Sequence, residues 1–165
     1  GPRGRRCGGL FNERSTTMAC NCGRKSAAQK YNFSEQALTT IPAPLSMGST
    51  AGLPTGPSIV DRGNNLGVRN AGLSRLAAQL IVAVSAAGTL NVQAYYNGVP
   101  VASSRKSLPV AVGSQEISLN DLIYLPVPDA CGCNGVTVPL DIYAWTADSG
   151  AANVSSIAVN LLREA

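Results

Sequence analysis

Residues 88–102 read GTLNVQAYYNGVPVA. Leu90, Val92, Ala94 and Tyr96 alternate there with Asn91, Gln93 and Tyr95. A side-chain period of two belongs to a β-strand with one face covered. Asn97-Gly98 follows at once, before Val99. Both residue types tolerate the positive φ of a type I′ turn, so the stretch predicts a two-residue hairpin.

The same texture extends outward in both directions. Arg75–Ser85 (RLAAQLIVAVS) places Leu76, Ala78, Leu80, Val82 and Val84 on one face. Its Ala and Leu content suits a helix, but the strict period of two and the Val-rich end argue for a strand. Strands are also expected at Leu108–Val112, Glu116–Leu119, Asp121–Val127, Val136–Trp145 and Val154–Leu162, with Gly, Pro, Asn, Asp and Ser between them. Pro139 within its strand marks an edge position or a bulge. Seven or eight short strands in one chain predict an all-β, antiparallel jelly-roll β-sandwich over residues 58–165. Residues 31–57 carry Pro42, Pro44, Pro54 and Pro57 and read as an extended connector, with one short strand near Leu38–Ile41. Residues 1–57 together form an extended N-terminal arm and connector.

Composition narrows the chemistry. The 165 residues include 13 Lys plus Arg, 9 Asp plus Glu and no His. Ser-His-Asp and Cys-His nucleophilic systems and His-containing zinc sites are therefore excluded. Only 13% of residues are charged, about half the usual share. The carboxylates are scattered next to turns, Lys106-Ser107 sits in a hairpin loop, and Gly63–Gly67 reads as a loop rather than a phosphate cradle. No catalytic residue and no cofactor are assigned, and an enzyme is not expected.

The net charge of +4 is unevenly spread. Residues 1–30 hold seven basic side chains and one acidic, a net +6, and the remaining residues are −2. Arg3, Arg5, Arg6, Arg14, Arg24 and Lys25 are the candidate partner-binding cations. Aromatic residues are too sparse there for a nucleic-acid stacking platform. A polar, Gly-rich arm is ordered only when held, which points to packing on another subunit or protein. Met18 opens MACNCGRKS, which reads as a natural start, with residues 1–17 as an extension. No apolar run is long enough for a membrane helix or a signal-peptide core, so no membrane contact is expected.

Cys20, Cys22, Cys131 and Cys133 form two CxC pairs, and Cys7 stands apart. They are open to three readings: reduced thiols near a subunit contact, disulfides with one thiol left over, or a four-thiolate metal site. Tyr95, Tyr96 and Trp145 are either core and interface aromatics or a carbohydrate-binding surface.

Residues Leu76–Leu162 carry a family resemblance. GTLNVQAYYNGVPVASS, VAVGSQEISLNDLIYLPV, the CGC turn, VTVPLDIYAW and NVSSIAVNLL are similar to small phage and bacterial surface domains. Those domains have the jelly-roll architecture of tumour necrosis factor and complement heads. MACNCGRKS resembles their Cys/Asn-rich opening. The resemblance implies a homotrimer and a structural role on a virion, as a capsid decoration or head-fibre protein. It implies Leu90, Val92, Tyr96, Ile142 and Trp145 as core or trimer-interface residues, and Cys131 and Cys133 as the family's Cys-rich turn. The basic arm and the Pro-rich connector depart from the family pattern. The expectation is a virion structural protein bound to a capsid through its arm. The alternative is an extracellular or cell-surface module that recognises glycans.

Overall fold

The computed structural model describes residues 26–48, 51–55, 58–127, 137–147 and 151–164. These residues form two antiparallel sheets. The early strands are β1 (Ala27–Asn32), β2 (Gln36–Ala37), β3 (Ala43–Pro44), β4 (Ala51–Thr55), β5 (Ile59–Asp61) and β6 (Leu66–Val68). The later ones are β7 (Gly72–Ala86), β8 (Gly88–Tyr96), β9 (Val99–Pro100), β10 (Lys106–Val110), β11 (Gly113–Leu125), β12 (Val138–Thr146) and β13 (Ala151–Arg163). Sheet I runs β11-β7-β13-β1-β4, with β2 also against β13. Sheet II runs β10-β8-β12-β6-β5, with β3 against β12 and β9 against β8. From β7 to β13 the chain passes back and forth between the two sheets, which is the jelly-roll arrangement. The chain is thus an all-β jelly-roll β-sandwich.

The period of two sets which side chains fill the interior. Leu76, Leu80 and Val82 on β7 face inward from sheet I, as do Ile117 and Leu125 on β11 and Val154 and Val159 on β13. Leu66, Leu90, Val92, Leu140 and Ile142 close the core from sheet II. Arg75–Ser85 is strand throughout, and its helical alternative is not realised. Residues 116–127 were expected as two strands; Ser118 to Asp121 pair without interruption against β7, so β11 is one strand.

The hairpin at Asn97-Gly98 is present. Tyr96 pairs with Val99, and both turn residues have positive φ, 56° and 79°. The return strand is shorter than Val99–Ala102, because Ala102–Ser104 forms a 3-10 turn. The Ser104 hydroxyl accepts from the Ala94 N–H at 2.9 Å and so substitutes for a ladder partner.

Two expectations need correction. Residues 27–55 are not a connector outside the sandwich, because β1 and β4 build sheet I and β3 extends sheet II. Prolines survive there because β3 is only two residues long and β4 is an edge strand, where missing donors cost least. Pro139 does not mark an edge strand, since β12 lies between β8 and β6. It is the second residue of β12, beyond the last β8 ladder pair, and its carbonyl accepts from Asn97 N–H at 2.9 Å.

Gly98→Val places a β-branched residue in the left-handed region and is expected to cost about 1–2 kcal/mol. Leu80→Ala, at a fully buried position, is expected to cost about 2–5 kcal/mol. Urea melts of both variants check the two values.

Candidate functional site

The two sheets present very different outer faces. Sheet I turns Ala77, Gln79, Ile81 and Ala83 of β7 outward, between Leu76, Ala78, Leu80 and Val82, which point in. Cross-strand register builds rows over this face. Leu122, Arg75, Leu162 and Ala27 form one row, and Ser118, Gln79, Ala158 and Tyr31 another. Tyr124 stands opposite Leu73. Tyr31 and Phe33 pack together with ring centroids 5.5 Å apart. Phe33 is 75% exposed, Tyr124 62%, Leu122 44% and Leu162 41%.

The charges on this face are already engaged. Arg75 Nε donates to Glu164 at 3.1 Å, and Gln79 donates to Glu116. At the β11 margin, Lys106 Nζ donates to the Ser118 carbonyl at 2.6 Å, and Ser103 donates to Asp121 at 2.7 Å. Charged and polar groups laid over an edge strand block its open ladder.

Ser26, the first described residue, precedes Ala27 of the Leu122–Leu162 row. Ser26 is buried; its carbonyl accepts from Arg163 N–H at 2.8 Å, and its hydroxyl accepts from Ser58 N–H at 3.0 Å. Arg163 is itself buried and donates to the Ser74 hydroxyl and to the carbonyls of Asn70 and Ala71. Burial pulls its pKa down, against the Tyr96 and Tyr124 phenols. At the same pole an apolar recess of about 520 Å³ is lined by Tyr96, Val99, Val101, Tyr124, Pro126 and Val138.

The outer face of sheet II is polar and aromatic. Tyr95 and Tyr143 stack at 3.6 Å with their planes 9° apart. Asp141 stands opposite Tyr95 and accepts from Asn65 Nδ2 at 3.1 Å. Burial raises the Asp141 carboxyl, with the Asn65 hydrogen bond and Arg62 opposing it. Arg105 lies 5.2 Å from the Trp145 ring centroid and donates to Asn91.

The structure separates the sequence candidates. Leu90, Val92 and Ile142 are fully buried between the sheets. Tyr96 also points inward and donates its hydroxyl to the Pro126 carbonyl at 2.7 Å. Trp145 is on the outer side of sheet II, shielded by Arg105. Tyr95 shares that side, so the proposed aromatic surface of Tyr95, Tyr96 and Trp145 does not assemble. Tyr143 takes the place beside Tyr95. Arg3, Arg5, Arg6, Arg14, Arg24 and Lys25 lie outside the described residues, as do Cys20, Cys22, Cys131 and Cys133. Among the described residues no group of three or more His, Cys, Asp or Glu comes together to hold a metal. Among the same residues no helix is long and apolar enough to cross a membrane.

Lys30 was counted with the basic arm, but it is fully buried. The alternation that turns Ala28 inward turns Lys30 inward too. Its ammonium donates to Asp61 Oδ1 and to the Gly63 carbonyl, each at 2.5 Å, tying sheet I to sheet II. Lys30 is buried and Asp61 stands at the surface, so the pair is a structural tie between the margins of the two sheets.

Comparison with known proteins follows the fold. No known protein family matches the sequence, and no curated protein matches it. Solved structures do match. The sandwich is similar to the PRD1 vertex protein P5. That match has a TM-score of 0.59 and 14% identity, and covers 85% of this chain and 97% of that one. Murine APRIL, a tumour-necrosis-factor family protein, matches with a TM-score of 0.51 and 8% identity, covering 86% of this chain and 100% of that one. Both likenesses agree with the jelly-roll architecture implied by the sequence resemblance, and at these identities they establish the fold.

Burial pushes the Asp61 carboxyl up, but the Lys30 ammonium and the Gly63 N–H together hold it below its ordinary 3.8. A depressed folded value means that the pair stabilises fully above the ordinary carboxylate range and loses its effect as pH falls below about 4. Asp61→Asn is expected to cost about 3 kcal/mol at neutral pH, by stranding the buried ammonium. It is also expected to flatten the loss of stability in acid. Thermal melts from neutral pH into acid, for both proteins, check this.

Proposed function

We propose that this chain is a bacteriophage virion structural protein, a homotrimeric capsid-decoration or head-fibre protein fixed to the capsid by its N-terminal arm. Its role is mechanical rather than enzymatic, and it belongs on the virion surface.

One observation carries the reading. Of the seven large apolar side chains exposed among the described residues, Leu122, Tyr124 and Leu162 share one end of the outer face of sheet I, around Arg75. Singly scattered apolar residues need no explanation, but a grouped set on a face whose charges are already paired marks a contact surface. The small side chains Ala27, Ala77, Ala83 and Ala158 on this face let a second backbone approach closely. A closed ring of identical subunits buries such a face on every copy. The fold shared with a vertex protein supports a place in a capsid.

The arm supports the mode of attachment. Residues 1–25 carry Arg3, Arg5, Arg6, Arg14, Arg24 and Lys25 against one acid, Glu13. They precede Ser26, the first described residue, which is pinned by Arg163 and Ser58. A cationic tether rooted at a fixed point suits an acidic capsid exterior, and such contacts weaken as salt rises.

Two measurements test this. The full chain is expected to co-sediment with its capsids in a salt-sensitive way, and removal of residues 1–25 is expected to abolish it; undiminished binding would refute the arm's role. Leu122→Lys with Tyr124→Lys is expected to weaken self-association by at least about 2 kcal/mol while the thermal transition of the sandwich persists. A variant that associates like the parent would exclude this face as the interface.

A further inference from the structure

The outer face of sheet II holds two phenol rings in face-to-face contact. Tyr95 pairs across the ladder with Asp141, and Tyr143 with Gln93, so the two tyrosines are diagonal neighbours on β8 and β12. Diagonal neighbours on one face of a sheet are within reach of aromatic side chains. Their ring centroids are 3.6 Å apart and their planes 9° from parallel. That is the contact distance of carbon on carbon. Pro100 stands opposite Tyr95 across β9 and β8, and Pro44 stands opposite Tyr143 across β3 and β12. Four rings thus run in a strip, with the tyrosines at its centre.

The chain has five tyrosines. Tyr96 is buried with its hydroxyl on the Pro126 carbonyl, Tyr124 stands on sheet I, and Tyr31 packs against Phe33. Among the described residues Tyr95 and Tyr143 are the two tyrosines whose rings meet. Both are partly exposed, so a small oxidant can reach the ring edges. We propose that Tyr95 and Tyr143 are a site of oxidative modification, at which hydrogen peroxide acting with a one-electron catalyst joins the two rings as a dityrosine.

The chemistry uses the stack as it stands. Burial, and then the Asp141 charge, pushes the Tyr143 phenol above its ordinary value, so its hydroxyl proton is present and must leave with the electron. Each phenol gives up one electron and its hydroxyl proton. The unpaired electron of each phenoxyl radical is shared with the ring carbons beside the oxygen. Two such carbons, one from each ring, form a C–C bond. Each then releases its hydrogen as a proton while a proton returns to each oxygen, which restores both aromatic rings. The two electrons and two protons given up reduce one hydrogen peroxide to two waters. Rings already in contact react as one unit rather than as a pair that must first collide. The product is a covalent bridge within sheet II, where β8 and β12 lie side by side. The inference depends on neither the arm nor the oligomeric state.

The test exposes the full chain to hydrogen peroxide and a small haem catalyst, then reads it after denaturation by dityrosine fluorescence and by peptide mass mapping. The expected product is a single chain, lighter by two hydrogens, in which fragment sequencing places the link between Tyr95 and Tyr143. Tyr143→Phe keeps the stack but lacks the phenol, and is expected to abolish that product. Tyr124→Phe is expected to leave it unchanged. Thermal melts confirm that each variant is folded. Absence of dityrosine within the single chain would overturn the proposal, as would a link between other tyrosines or a yield that Tyr143→Phe leaves unchanged.

Discussion

Strand β7 is the constraint on which the rest depends. It pairs with β11 on one side without a break, and with β13 on the other in one register from Ser156 to Arg163, the ladder shifting between Val154 and Ser156. Its inward positions, from Leu76 to Val84, are apolar without exception and form the floor of the core. Slipping that register by one residue would exchange Leu76, Leu80 and Val82 for Arg75, Gln79 and Ile81. Both the core and the outer face would then be lost together. The Lys30–Asp61 pair adds a second fixed point, joining the sheets at the opposite margin of the sandwich.

A sandwich has two outer faces, and here they are built differently. Sheet I carries small side chains along β7 and β13, with Leu122, Tyr124 and Leu162 toward the Ser26 end and Tyr31 with Phe33 farther along. Its charged residues are tied to neighbours on the face itself. Sheet II is overlaid at its β10 edge by the Ser104 turn, Arg105 and Ser107, which bury Asn91 and Gln93. What it leaves open is the ring strip around Tyr95 and Tyr143. The exposed apolar groups therefore gather on sheet I, while the outer side of sheet II is polar and aromatic.

The fold was readable because the long strands keep a clean period of two and Asn97-Gly98 fixes one hairpin. The early strands were not readable, because β2 and β3 are two residues each and their prolines look like linker. Pairing partners far away in sequence, not local propensity, make them strands. The outer faces were harder still. In Asp121–Val127 every position from Leu122 to Leu125 is apolar, so the sequence hides that Leu122 and Tyr124 face out while Ile123 and Leu125 face in. Their parity follows only from the register with β7. Lys30 looked like one more arm cation for the same reason. Tyr143 lay unremarked inside an alternating strand, since its partner Tyr95 is reached only through the β8–β12 ladder.

The central claim is that sheet I is a subunit interface and not a solvent face. Sedimentation equilibrium of the full chain over a wide concentration range tests it most directly. The expected result is a single species of three times 16.9 kDa that persists on dilution. A protein that sediments at 16.9 kDa at every concentration would contradict it.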